Sequence, residues 1–474
     1  MSESVLSRPV LGGTDGFRGV ATEEPGPGKM NPETVAGLTY ALHSMLAEPG
    51  AGESCVIGRD TRPSGDYLAP AAVAGAMAAG ANVLYMGVAP TPAILKTAQS
   101  KGAVSAVALT ASHNPAQYNG WKGTVGPDKP VGRQITDISD RYWAQVDSGL
   151  VLSTTAEHTE ERPELLDKYV RLVADSIRHE FGDQRPLEGK IFVVDGANGA
   201  GGRVTPRVLR ELGATVEEFV CDGSGAINEG VGAANLDGVK TFLRSRAELV
   251  ANPNFVGALA NDGDADRMIG VGAYVDQDGN MHFEELEGNR VMELMAEGQP
   301  GIVGTRYTND AMIAQLEKQG IGFEFCDNGD ANVTVKLREL QAAGRPWTRG
   351  GEFTGHHIDL KWLSSGDGVR MAAWLAAHAV QKKNANFYEL AKSMKLWPEH
   401  LVNIELPPGV NSRELLERPH ITAAVEEATV ALNGTGRLLV RASGTEPLVR
   451  AWAVGQDAAV VQRTVNKLVK AIRT

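Results

Sequence analysis

Val256-Gly257-Ala258-Leu259-Ala260, followed at once by Asn261-Asp262-Gly263-Asp264-Ala265-Asp266-Arg267, is an apolar strand-forming run that stops in a loop of three carboxylates. α/β proteins place ligands at such strand ends. Asp262, Asp264 and Asp266 alternate with small residues, so their side chains can converge on one point, where they would repel each other strongly without a cation. An all-oxygen donor set suits Mg²⁺ or Ca²⁺. An EF-hand is excluded, because its glycine position would fall on Arg267 and its final glutamate on Ala273. Taken alone, the stretch leaves a solvated acidic turn open.

The same pattern recurs outward from this point. Val104 to Leu109 reads as a strand entering the polar loop Thr110 to Trp121, and Ile191 to Val194 reads as a strand entering the Gly-rich turn Asp195 to Gly202. Cys55 to Ile57 is a further short strand, with a helix from about Asp66 to Ala79. Asn31-Pro32-Glu33 opens another helix, with a cap residue and then proline at the first helical position. The three strand–turn units share no sequence identity, so a structural repeat is only an expectation. The last block differs: Leu401 to Leu406, Arg437 to Arg441 and Leu448 to Val454 read as strands, with helices near 412–432 and 457–472. The expected fold class is α/β, with three mixed α/β domains over 1–155, 156–255 and 256–382 and a smaller α+β domain over 383–474. The first block closes near Ser153 to Glu161, and Lys382 to Asn386 reads as a linker.

Four further stretches carry chemistry-bearing residues. Thr110-Ala111-Ser112-His113-Asn114-Pro115 leads to Lys122. Ser112 beside His113 resembles an activated nucleophile, but in an extended segment adjacent side chains point apart, so the pair is not read as a hydrolytic dyad. Gly351-Glu352-Phe353-Thr354-Gly355-His356-His357 sets polar groups between glycines, as in a loop that approaches a ligand closely or in a structural turn. Arg441-Ala442-Ser443-Gly444-Thr445-Glu446-Pro447, with Arg450, offers hydroxyls, backbone N–H groups and guanidinium groups suited to phosphate, though a surface turn is the other reading. Gly13-Thr14-Asp15-Gly16-Phe17-Arg18-Gly19 and Gly58-Arg59-Asp60-Thr61-Arg62 each carry arginine among glycines and are individually weak signals.

Composition narrows the function. The chain has 474 residues, 42% hydrophobic and 22% charged, with a formal net charge of −12, so it is globular and a poor nucleic-acid binder. A local basic pocket can still hold an anionic small molecule. Cys55, Cys221 and Cys326 are scattered and read as core thiols in a reducing compartment. No long apolar run and no secretory signal is visible, so a cytoplasmic protein away from membranes is expected.

In order, TDGFRG, GRDTRPSG, TASHNP, DGDADR, GEFTGH and RASGTEP resemble the α-D-phosphohexomutase superfamily from about Gly13 to Gln456. The resemblance implies three similar α/β domains and a C-terminal domain of TATA-binding-protein-like fold. It implies that Ser112 is the phosphorylated residue and, with Asp262, Asp264 and Asp266, a ligand of Mg²⁺. Arg18, His113, Lys122 and Arg267 match residues the family uses around the phosphoserine. Glu352, Thr354 and His356 match its sugar loop, and Arg441, Ser443, Gly444, Thr445 and Arg450 its binding site for the phosphate that is not transferred.

The implied reaction interconverts a hexose 6-phosphate and a hexose 1-phosphate through a 1,6-bisphosphate, which also serves as activator, in a monomer or homodimer. GTDGFRG and RASGTEPLVR resemble the phosphoglucosamine branch more than the phosphomannomutase/phosphoglucomutase branch, although Phe353 matches neither. The reading from another class is a sugar-phosphate phosphatase. Many relatives carry a basic residue where this chain has Asn328-Gly329-Asp330-Ala331-Asn332, and Lys336 is a possible replacement.

Overall fold

The protein is described by a computed structural model covering residues 8–13, 15–48, 50–156, 160–407, 410–442 and 448–473. Three sheets follow one another along the chain, and all three contain the same core. In the first, the order is Phe17–Val20, Tyr118–Val125, Ser105–Leu109, Ser54–Arg59, Asn82–Val88. The last three strands run parallel, and Ser105–Leu109 turns back antiparallel into Tyr118–Val125. In the second, Thr215–Phe219, Ile191–Asp195 and Phe255–Asn261 are parallel, and Phe255–Asn261 turns back into Met268–Val275. In the third, Gly322–Cys326, Gly301–Thr305 and Arg349–Gly351 are parallel, and Arg349–Gly351 turns back into His357–Asp359.

Two expectations need correction. The proposed boundary between residues 255 and 256 cuts through the second sheet, because Phe255–Asn261 is its central strand. The carboxylate loop therefore belongs to the second unit, not the third. The repeat is real as topology, but its third member is the short strand Arg349–Gly351 rather than Val256 to Ala260. In each unit one functional loop joins the last parallel strand to its antiparallel neighbour: residues 110–117, 262–267 and 352–356.

The fourth unit is α+β: Glu399–Glu405, Leu448–Gly455 and Gly436–Ala442 form an antiparallel sheet, packed by Pro419–Leu432 and Ala458–Arg473. The linker expected at Lys382 to Asn386 begins inside a π-helical segment, His378–Lys383, that continues the helix Gly368–Ala377. Among the described residues no helix is long and apolar enough to cross a membrane, and all three cysteines are free and buried.

Close packing sets the first unit. Asn31 caps the helix Pro32–Leu46 by accepting from the Thr34 N–H. That helix lies against Gly65–Ala78 so closely that a Cβ on Gly75 would stand 2.1 Å from the Ala36 carbonyl oxygen. The contact is backbone to backbone, so Gly75→Ala must part the helices. It is expected to cost roughly 1–3 kcal/mol, read as a lowered thermal midpoint.

Candidate active site

The loop carrying Ser112 is held from beneath by Arg62, the last residue of the individually weak run Gly58 to Arg62. Arg62 is fully buried. Its Nε donates to Asp60 Oδ2 at 2.9 Å, and its two terminal nitrogens donate to the carbonyls of Ser112, Asn114 and Tyr118, each at 2.8 Å. Asp60 Oδ2 in turn accepts from Thr110 Oγ1 at 2.6 Å, and Thr110 Oγ1 accepts from the Ser112 N–H at 2.9 Å. From the second unit, Asn228 Nδ2 donates to the Ser112 carbonyl at 2.8 Å. These partners hold Ser112 at φ 53°, a left-handed conformation that costs a non-glycine residue energy and is typical of constrained functional sites.

That conformation overturns one expectation. Adjacent side chains diverge only in an extended segment. At Ser112 the backbone is not extended, and His113 Nδ1 lies 3.5 Å from Ser112 Oγ. Arg267, burial and Arg18 push the imidazole down to about 3, so His113 is neutral near pH 7.

Ser112 Oγ donates to Asp262 Oδ2 at 2.7 Å, which joins the first functional loop to the second. Asp262, Asp264 and Asp266 are buried and present carboxylate oxygens all within 4.8 Å of one another. Ala265, at φ 55°, makes the turn between them. Lys122 Nζ lies 2.6 Å from Asp264 Oδ2 and 3.1 Å from Asp266 Oδ2, and Thr91 Oγ1 donates to Asp264 Oδ2 at 2.6 Å. Arg267 Nε stands 3.8 Å from Asp262 Oδ2.

This compensation is incomplete. Burial and the two neighbouring carboxylates push Asp262 up to about 7, and Asp264 Oδ1 is buried without a partner. Although burial works against its charge, Asp266 is held well below the usual carboxylate range by Lys122 and His356. A cluster of oxygen donors short of positive charge, with one orphaned oxygen, fits a hard divalent cation.

The third loop closes on the second. His356 Nε2 lies 3.0 Å from Asp266 Oδ1 and its Nδ1 lies 2.8 Å from Glu352 Oε2. Burial disfavours the charged ring, yet Asp266 and Glu352 hold it up to about 10, so both nitrogens carry protons. Glu352 Oε1 accepts from the Gly329 N–H at 2.9 Å. Thr354 is half-buried on the same loop. Lys336 is placed elsewhere: its ammonium is 3.8 Å from Glu324 Oε2 on the edge strand Gly322–Cys326.

Arg18 reaches the same region. Its Nη2 lies 3.7 Å from Asp15 Oδ2 and its Nε is buried without a hydrogen-bond partner. In the fourth unit Arg441 and Arg450 are register partners on adjacent strands, so both lie on one face of the sheet. Arg441 Nε donates to Tyr307 Oη at 3.0 Å, and Tyr307 packs against Phe353 and Trp452, which ties that face to the third unit. The predicted Ser443, Gly444 and Thr445 lie outside the described residues.

A serine hydroxyl on a buried carboxylate cluster, ringed by lysine, arginine and imidazolium at the meeting of three strand ends, defines a phosphoryl-transfer enzyme. Comparison with known proteins gives the family. The phosphoglucomutase/phosphomannomutase models match in order: α/β/α domain I over residues 10–145, domain II over 167–274, domain III over 287–397 and the C-terminal domain over 401–471. The chain is 34% identical over 470 residues to the phosphoglucosamine mutase of Erwinia tasmaniensis, spanning 97% of this chain and 98% of that protein. It is 33% identical over 481 residues to that of Salmonella paratyphi C, with the same coverage.

Among solved structures, a phosphoglucomutase/phosphomannomutase family protein from Burkholderia thailandensis has a TM-score of 0.74 at 22% identity, over 98% of this chain and 97% of that one. N-acetylphosphoglucosamine mutase of Aspergillus fumigatus, in complex with GlcNAc-6P and magnesium, has a TM-score of 0.64 at 16% identity, over 99% and 96%. The chain belongs to the phosphoglucomutase/phosphomannomutase family of the α-D-phosphohexomutase superfamily, and is a phosphosugar mutase.

Proposed function

We propose that the protein interconverts glucosamine 6-phosphate and glucosamine 1-phosphate, with Ser112 carrying the phosphoryl group. The observation that carries this reading is the Ser112 Oγ–Asp262 contact at 2.7 Å, beside an orphaned carboxylate oxygen of Asp264. The sugar comes from the phosphoglucosamine mutase relatives, which match the chain end to end.

In the first half-reaction the sugar's free hydroxyl gives up its proton as its oxygen bonds to phosphorus, the bond from phosphorus to Ser112 Oγ breaks, Oγ regains a proton, and a 1,6-bisphosphate forms. The bisphosphate turns over, Ser112 Oγ gives up its proton and bonds to the other phosphorus, and the bond from that phosphorus to its sugar oxygen breaks, leaving a protonated sugar hydroxyl. His113, 3.5 Å from Ser112 Oγ and kept neutral by Arg267, burial and Arg18, borders the reacting oxygen without adding a positive charge to it. Arg18, Lys122 and Arg267 offset the charge of the phosphoryl group in flight. Glu352, Thr354 and His356 orient the sugar, and Arg441 and Arg450, with the Ser443 to Thr445 turn, hold the far phosphate. Asp262, Asp264, Asp266 and Ser112 would hold Mg²⁺, which when bound supplies Lewis-acid neutralisation of the transferring group. A hexose 1,6-bisphosphate recharges Ser112 as activator.

The test is a side-by-side assay of glucosamine, N-acetylglucosamine, glucose and mannose phosphates. Glucosamine phosphate should give the highest kcat/KM, with no free phosphate released. Stoichiometric free phosphate would mark a phosphatase instead, and preference for glucose or mannose would place the chain's specificity in the other branch.

A further inference from the structure

Lys129 stands in the turn after Tyr118–Val125, in the first unit, yet its ammonium is spent on the third. The side chain is buried, 5% exposed, and lies 2.7 Å from Asp330 Oδ1 and 3.2 Å from Asp15 Oδ1. Each carboxylate opens onto a different part of the site. The other oxygen of Asp15 is 3.7 Å from Arg18 Nη2, the guanidinium whose Nε is buried and unpaired. Asp330 follows Gly329, whose N–H holds Glu352 Oε1 at 2.9 Å, and Glu352 holds His356. The other oxygen of Asp330 accepts from Ser365 Oγ at 3.1 Å. One ammonium is thus the junction between the arm that carries Arg18 and the arm that carries the sugar loop.

Two observations separate this from simple docking of the units. The neighbouring residue does that work: Asp128 Oδ1 accepts from Ser364 Oγ at 2.5 Å and from Arg338 Nη2 at 2.7 Å, so the turn is anchored without Lys129. The charge of Lys129 is also fixed. Burial opposes it, but Asp330 and Asp15 hold the ammonium well above the usual lysine range, which suits an electrostatic strut and not a proton shuttle. The stretch 328–332, where the sequence shows no basic residue, therefore does receive a cation, from another unit.

We propose that Lys129 is a positioning residue of the transfer reaction, setting Arg18 through Asp15 and the sugar loop through Asp330. The proposal rests on the reading of Ser112 as phosphoryl carrier. A misplaced charge partner at a transfer site costs rate more than binding. Lys129→Met is expected to lower kcat roughly 10- to 100-fold, with a smaller change in KM and an equally slowed phosphorylation of Ser112 by hexose 1,6-bisphosphate. Lys129→Arg should restore most of the rate.

Because Lys129→Met leaves the buried carboxylate of Asp330 short of charge, while Asp15 keeps access to solvent, the variant Lys129→Met with Asp330→Asn is made beside it. It should regain the thermal midpoint and stay slow. Recovery of both midpoint and kcat in the double variant, or a Lys129→Met kcat within about twofold of wild type, overturns the proposal. A wild-type protein that leaves Ser112 unphosphorylated overturns the reading beneath it, and is seen before any variant is compared.

Discussion

Ser112→Ala is expected to abolish the uptake of one phosphate that intact-mass measurement should record after incubation with a hexose 1,6-bisphosphate. Turnover should fall by on the order of 10⁴ to 10⁶, the range seen when a covalent nucleophile is removed. The fold should survive, because the loop is held by its backbone. The Ser112 carbonyl keeps Arg62 and Asn228, and the Ser112 N–H keeps Thr110; none of these uses the hydroxyl. The hydroxyl donates at 2.7 Å to Asp262, a carboxylate that burial and its neighbours already push toward protonation, and His113 Nδ1 stands farther off at 3.5 Å. Losing that bond should shift the thermal midpoint by little. A variant that still gains a phosphate at wild-type level would move the carrier to another residue.

Chemistry carried by neighbours in the chain is legible in the sequence. Asp262, Asp264 and Asp266 are neighbours in the chain, so their convergence needs only a tight turn, and the structure brings them together. The Ser112 loop and the Glu352–His356 loop were singled out for the same reason, and both face the carboxylates. What the sequence concealed is held by long-range contacts. Arg62 meets the Ser112 carbonyl from 50 residues away, and Lys129 meets Asp330 from 201 residues away. No spacing rule points to either. An Asp60-Thr61-Arg62 step after a strand was the only visible trace of the first.

The misplaced boundary has a physical cause too. The strand Phe255–Asn261 is apolar and easily seen, whereas Arg349–Gly351 is three residues of arginine and glycine with no β-branched side chain. Its place between Gly301–Thr305 and His357–Asp359 is dictated by close approach. A Cβ on Gly350 would stand 2.8 Å from the Val303 carbonyl oxygen, and one on Gly351 2.7 Å from that of His356. Glycine was selected for fit to neighbours, which hides a strand from any propensity argument. Counting apolar strands therefore assigned the carboxylate loop to the wrong unit.

Asp264→Ala is expected to remove divalent-cation binding while leaving the ion-free protein folded. The three carboxylates repel one another, and Lys122 can serve only two of them. Deleting Asp264 relieves Asp262 of one neighbouring charge and leaves Lys122 paired with Asp266. The ion-free variant should therefore melt close to the ion-free wild type. The difference appears on adding Mg²⁺. A ligand that binds only the folded state at a hundred times its Kd stabilises by about 2.7 kcal/mol, so the wild-type midpoint should rise by several degrees. The variant's midpoint should not move, because it lacks the residue whose buried Oδ1 is otherwise unpartnered. Its kcat should fall by on the order of 10² to 10³, the usual cost of losing one element of charge stabilisation in a transfer site. EDTA should reduce the wild type to the same level, reversibly. An Asp264→Ala protein whose melting responds to Mg²⁺ as the wild type does would remove the triad from the metal site, whatever its activity, since the thermal shift reports binding alone.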